Sequence, residues 1–147
     1  MNYKVIGESN VLISLDKDDY VNKSIKAMFD SEKFKFGWIS GIGAVYNIEI
    51  AYYDIRNKKY IKKCLKNEYE LLSLKGNVTF LDRGYFVHTH VALSDRNFKS
   101  FGGHLFEAQV SAACEIKIDI LNHSINREFS KDIGLNLWCI GNGNSYN

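Results

Sequence analysis

The spacing of hydrophobic positions changes near residue 35. Val11-Leu12-Ile13-Ser14-Leu15 is a short β-branched run that reads as a strand. The cluster Asp16-Lys17-Asp18-Asp19 follows it and offers side-chain oxygens to cap a helix. Val21, Ile25, Met28 and Phe29 then recur at the i, i+4, i+7, i+8 spacing of one buried helical stripe. From Lys35 onward the apolar runs have strand length. Phe36-Gly37-Trp38-Ile39, Tyr46-Asn47-Ile48-Glu49-Ile50-Ala51-Tyr52-Tyr53 and Val78-Thr79-Phe80-Leu81 predict successive antiparallel strands, with hairpin turns at 54–58 and 82–84. Ile61, Leu65 and Tyr69 also fit a helical period, but their neighbours are strands, and 60–72 is read as strand. After Gly102-Gly103 comes the longest alternation. Val110, Ala112, Cys114, Ile116, Ile118 and Ile120 fall on one face and Glu107, Gln109, Ser111, Glu115, Lys117 and Asp119 on the other, as in a long half-buried strand. One principal helix and a mainly antiparallel sheet make the class α+β.

Length and composition narrow this picture without changing it. A chain of 147 residues, 46% hydrophobic and 24% charged, has the make-up of one globular domain with a core of its own. There is no proline and no visible linker, so residues 1–140 read as a single unit. The polar, glycine-rich 141–147 reads as a flexible tail. Nineteen Lys plus Arg against 17 Asp plus Glu give a net charge of +2, with basic runs no longer than pairs such as Lys58-Lys59 and Lys62-Lys63. That is thin for a nucleic-acid footprint, which depends on clustering. Cys64, Cys114 and Cys139 are odd in number, far apart and set among apolar neighbours, which predicts reduced, mostly buried thiols. No export signal and no long apolar span is visible, so a cytoplasmic location without membrane attachment is expected.

Few motifs carry chemistry. Gly41-Ile42-Gly43 could open a dinucleotide-binding loop, but Tyr46 stands where that pattern needs its third glycine and no helical pattern follows. The cysteines form no close pair suited to zinc. In Phe86-Val87-His88-Thr89-His90-Val91-Ala92-Leu93, two histidines stand two residues apart, which on a strand turns both to one face. His104 follows a polar loop and the Gly102-Gly103 pair, which would let the backbone turn back toward them. Three neutral imidazoles with a fourth position open would make a catalytic-type zinc site; cobalt, nickel, manganese or iron would fit the same ligands. The same residues also suit a solvated strand face and a turn cap, and spacing does not choose between the readings. His123 reads as a loop histidine.

The order His-x-His, an aspartate-containing loop, then Gly-Gly-His resembles the PPC (plants and prokaryotes conserved) domain. Gly41-Ile42-Gly43-Ala44, Glu70-Leu71-Leu72-Ser73-Leu74-Lys75-Gly76-Asn77-Val78 and Glu115-Ile116 look like further landmarks of that family in their usual order, so the resemblance covers nearly the whole chain. It implies a compact domain around a strongly curved antiparallel sheet, a homotrimer, and a divalent metal, zinc first, held by His88, His90 and His104. A stand-alone domain of the prokaryotic type is expected, with the open metal position available to a small oxyanion or carbonyl ligand. Plant members bind DNA through attached AT-hooks, whose Arg-Gly-Arg-Pro core is impossible here without proline; DNA association through the trimer is the remaining form of that function. The His block also resembles the zinc site of α-acetolactate decarboxylase. That implies an alternative, a zinc-dependent lyase acting on a small 2-hydroxy-3-oxo acid, for which Arg96, Glu107 and Glu115 are the candidate catalytic residues.

Overall fold

In the computed structural model, which describes residues 1–82 and 84–140, the chain orders as nine strands and one helix. Strands β1 (Asn2–Ile6) and β2 (Asn10–Asp16) precede helix α1 (Val21–Glu32). Strands β3 (Phe36–Asp54), β4 (Lys59–Leu65), β5 (Tyr69–Leu81), β6 (Gly84–Ser94), β7 (Ser100–Leu121), β8 (Asn126–Ser130) and β9 (Leu135–Cys139) follow. They form one sheet in the order β1-β2-β7-β3-β5-β8-β9, with β4 added to β3 and β6 bridging β5 and β7. Because β7 pairs β3, β3 pairs β5, β5 pairs β6 and β6 returns to β7, these four strands close on themselves. The expected curved sheet is thus wound into a ring, which leaves no free edge among its four strands.

The helix keeps the stripe read from the sequence: Val21, Ile25, Met28 and Phe29 are fully buried, and α1 packs on β6 and β7. Its start differs. Tyr20 occupies the cap position and supplies no side-chain hydrogen bond. The expected Asp cluster is engaged elsewhere, with Asp19 accepting from the Asp16 backbone and Asp18 from the Tyr46 hydroxyl. The first-turn amides of Asn22 and Lys23 donate instead to the Glu107 carboxylate, at 2.9 and 3.1 Å. A residue 85 positions away caps the helix, which no local motif announces.

Glycines do not interrupt the long strands. Phe36–Ile39 and Tyr46–Tyr53 are parts of one 19-residue strand. The Gly41/Gly43 stretch is a register shift within it, where a Cβ at Gly43 would lie 2.5 Å from the Ala113 carbonyl oxygen. Gly102 and Gly103 likewise do not turn the chain. They lie inside the 22-residue β7, paired with Ala92 and Val91, and a Cβ on Gly102 would collide with the Val91 carbonyl. The reversal between β6 and β7 is made by 95–99, where Asp95 accepts from the Asn97 and Lys99 amides. The hairpin at 54–58 forms as expected, with Asp54 accepting from the Arg56 and Asn57 amides. The ambiguous 60–72 contributes to two strands, β4 and β5.

Cys114 is buried, whereas Cys64 and Cys139 are exposed, on the edge strand β4 and at the end of β9; all three are free thiols. Ala112 is also exposed, the one break in the buried face of the alternation from Val110 to Ile120. Among the described residues no helix is long and apolar enough to cross a membrane. The segment 141–147, expected as a tail, lies outside the described residues.

Candidate metal centre

Strand geometry decides what the three histidines can do. His88 and His90 share a face of β6 because side chains repeat every second residue. Antiparallel pairing of β6 with β7 sets His104 directly opposite His90. The ring centroids lie 5.2 Å apart for His88–His90, 5.2 Å for His88–His104 and 5.3 Å for His90–His104. One nitrogen from each ring falls within 4.8 Å of the other two. Nitrogens bound at ~2.1 Å around a tetrahedral ion stand about 3.4 Å apart, so side-chain adjustment of under about 1 Å would close the set.

The surroundings hold the rings in place. Tyr60 from β4 stacks on His104 at 5.0 Å, and Phe106 meets it edge-on at 5.0 Å. Asn22, the second residue of α1, braces the two histidine-bearing strands from behind. Its amide donates to the Leu105 and Phe106 carbonyls and its oxygen accepts from the Thr89 hydroxyl at 2.8 Å. Thr89 sits between His88 and His90, and Leu105 follows His104, so one side chain fixes the spacing of both strands where it matters. Such braces hold metal ligands to a productive geometry.

Electrostatics suit a cation as ligand partner. Burial pushes His88 down to about 4, helped by the Arg127 guanidinium and the other two imidazoles. Burial also takes His104 down to about 4, with His90 adding to it, and lowers His90. All three are therefore neutral near pH 7, with lone pairs available. His104 Nδ1 is buried and has no hydrogen-bond partner among the described residues. A buried polar nitrogen without a partner is costly, and a metal ion in the ring of three would supply one. The donor set is entirely imidazole, which suits zinc and its transition-metal neighbours over magnesium or calcium.

A cleft of about 630 Å³ opens beside His88 and His104, lined also by Tyr60, Phe106, Glu107 and Arg127. Arg127, on β8, was not legible as a site residue. It is buried, and its Nη2 lies 3.3 Å from His88 Nδ1. The segment Asn126-Arg127-Glu128 carries no motif, and only the parallel pairing of β8 with β5 brings it here. Of the sequence candidates, Glu107 lines the cleft but is committed to the helix amides; burial, opposed by those hydrogen bonds, raises its carboxyl above the usual range. Arg96 is exposed in the 95–99 loop, in a separate cleft with Glu68 and Tyr69. Glu115 is exposed far along β7, facing a groove on the opposite part of the sheet. His123 is exposed in the bend after β7.

The family model described as the Plants and Prokaryotes Conserved (PCC) domain matches residues 5–122. A plant- and prokaryote-conserved protein from Pyrococcus horikoshii is similar in structure at 33% identity and TM-score 0.83, over 95% of this chain and 99% of that one. A metal-containing protein from Archaeoglobus fulgidus is similar at 34% identity and TM-score 0.84, over 95% and 99%. A candidate DNA-binding protein from Bacteroides thetaiotaomicron is similar at 25% identity and TM-score 0.89, over 94% and 96%. The likeness to α-acetolactate decarboxylase from Bacillus subtilis is slight, at 16% identity and TM-score 0.43. No curated protein matches the chain.

Proposed function

The chain belongs to the Plants and Prokaryotes Conserved (PCC) domain family, and from that premise we propose that it is a homotrimeric, cytoplasmic metal-binding protein. His88, His90 and His104 bind one divalent transition metal, zinc in the first place, and leave a coordination position open to a small oxyanion or carbonyl ligand. The observation that carries the reading is the cluster of three neutral imidazoles with one nitrogen of each within 4.8 Å of the other two, beside a buried His104 Nδ1 that has no hydrogen-bond partner among the described residues. The relative from Archaeoglobus fulgidus, described as metal-containing, supports it.

A groove of about 820 Å³ on the outer sheet face supports self-association, since Tyr3, Leu12, Ile42 and Leu72 turn apolar side chains outward there. Three unpaired thiols fit a reducing compartment. DNA binding is not part of the reading, because a net charge of +2 without a basic cluster offers phosphates little.

Metal content measured on the purified chain and on the variant His88→Ala/His104→Ala tests the site. One equivalent per chain is expected for the first and less than about a tenth of that for the second, as two of three ligands are gone. Equal metal in both would remove the assignment.

A further inference from the structure

Arg127 is the one charged side chain among the buried described residues, at 8% exposure. Its Nε donates to the Thr79 hydroxyl at 2.8 Å, Nη1 to the Asn136 carbonyl at 2.8 Å and Nη2 to the Asn77 side-chain oxygen at 3.0 Å. Nη2 also approaches His88 Nδ1, and the guanidinium lies over the Phe86 ring at 4.8 Å. Every one of these partners is neutral. None of the ion pairs among the described residues includes Arg127.

The acids of the same cleft do not answer its charge. Glu49 pairs with Lys62 at 2.7 Å, and Glu107 is held by the amides at the start of α1. A buried cation kept among neutral groups is expensive, and proteins tolerate one where an anion is to arrive. A guanidinium has five N–H groups. Nη1 carries two of them and gives one to the Asn136 carbonyl, so one N–H on Nη1 has no partner among the described residues. The cleft into which Arg127 opens, about 630 Å³, is within the range of small-molecule sites and much larger than an inorganic ion requires. Its walls include Phe106, Leu135 and Leu137, which suit carbon rather than charge.

We infer that this cleft binds a small organic carboxylate, its charged head set between Arg127 and the three imidazoles and its carbon body laid against Phe106, Leu135 and Leu137. The contact to Arg127 stands by itself; the second contact rests on the metal reading above. One free N–H and a single positive charge fit a planar monoanion better than a phosphate dianion, which would call for several donors.

Calorimetric titration of the full chain with benzoate, and separately with inorganic phosphate, tests this, with zinc content measured on each sample. Benzoate is expected to bind one per chain, at least about ten-fold more tightly than phosphate. Arg127→Met, which removes the charge but keeps an apolar stem, should weaken benzoate by roughly ten- to a hundred-fold, the size of a lost charge-assisted hydrogen bond. Zinc content should be unchanged in it. Arg127→Lys should recover part of the affinity. Benzoate binding that is indifferent to Arg127→Met, or phosphate binding tighter than benzoate, overturns the inference while leaving the metal reading intact. Should Arg127→Met not fold, the side-chain Nε–H resonance of Arg127 in the unaltered protein decides: benzoate must shift it, and an unmoved resonance overturns the inference. A chain that holds no transition metal yet still binds benzoate through Arg127 upholds this contact and refutes the metal reading.

Discussion

Replacing Glu107 separates a structural carboxylate from a catalytic one. Its oxygens accept from three backbone amides, those of Asn22, Lys23 and Ala108, at 2.9, 3.1 and 3.0 Å. In Glu107→Ala the Lys23 amide is near solvent and gains water, but those of Asn22 and Ala108 are part-buried. Loss of an N-terminal cap costs about 1 kcal/mol, and a part-buried amide left without an acceptor adds about 1–2 kcal/mol. Relief of the carboxylate's own burial returns some of this, which leaves a net loss of roughly 2 kcal/mol. For a domain of this size each kcal/mol moves Tm by about 2–4 °C, so the midpoint should fall by roughly 4–8 °C. Glu107→Gln keeps an acceptor oxygen and loses the attraction between charge and helix dipole, about 0.3–1 kcal/mol, so its midpoint should fall by only about 1–4 °C. Thermal unfolding of the metal-free chain followed by circular dichroism reads both numbers, and metal content of each variant should match the unaltered protein. A Tm for Glu107→Ala within a degree of the original, or a Gln variant as damaged as the Ala variant, would refute the capping argument.

Two further outcomes follow from the same region. Asn22→Ala removes the brace between α1, β6 and β7, and should cost about 2–4 kcal/mol in urea unfolding and weaken metal by roughly ten-fold; a variant of native stability and native metal affinity would show that the strands hold their spacing unaided. The pH dependence of the metal-free chain has a definite sign. His88 and His104 sit at about 4 when folded and near 6.5 when unfolded, so the unfolded chain takes up their protons first, and stability is full above about 6.5 and lost as pH falls toward 4. Two independent groups would lose about 7 kcal/mol; partial exposure and mutual coupling reduce this to roughly 2–3 kcal/mol. Urea midpoints at pH 7.5 and 4.5 measure it, and a His88→Gln/His104→Gln variant with an undiminished pH slope would contradict it.

The parts of this protein that could be read from its sequence are those in which one element's pattern suffices. The Val21–Phe29 stripe, the alternation along β7 and the His-x-His pair each depend on the period of a single helix or strand. Long-range partners were out of reach. Glu107 as a cap, Asn22 as a brace and Arg127 beside His88 all depend on strand order, which local periodicity does not contain. The Gly102-Gly103 pair reads as a turn in the sequence for a related reason. Glycine serves both where a chain turns and where two backbones pack too closely for a Cβ, and only the neighbouring strand distinguishes the two uses.

The central position of β7 also bears on how the molecule folds. β2 and β3 are its partners on either side and β6 its third, yet it runs from Ser100 to Leu121, late in the chain. During synthesis from the N-terminus, two-thirds of the protein emerges before the strand that joins it, with β2 and β3 lacking their common neighbour and α1 lacking Glu107. Pairing across such sequence distances is slow because loop closure must precede the contacts that reward it. The third histidine travels on that same late strand, so the three-histidine cluster proposed to hold metal cannot assemble on a half-made chain. It is completed together with the ring of strands that holds it.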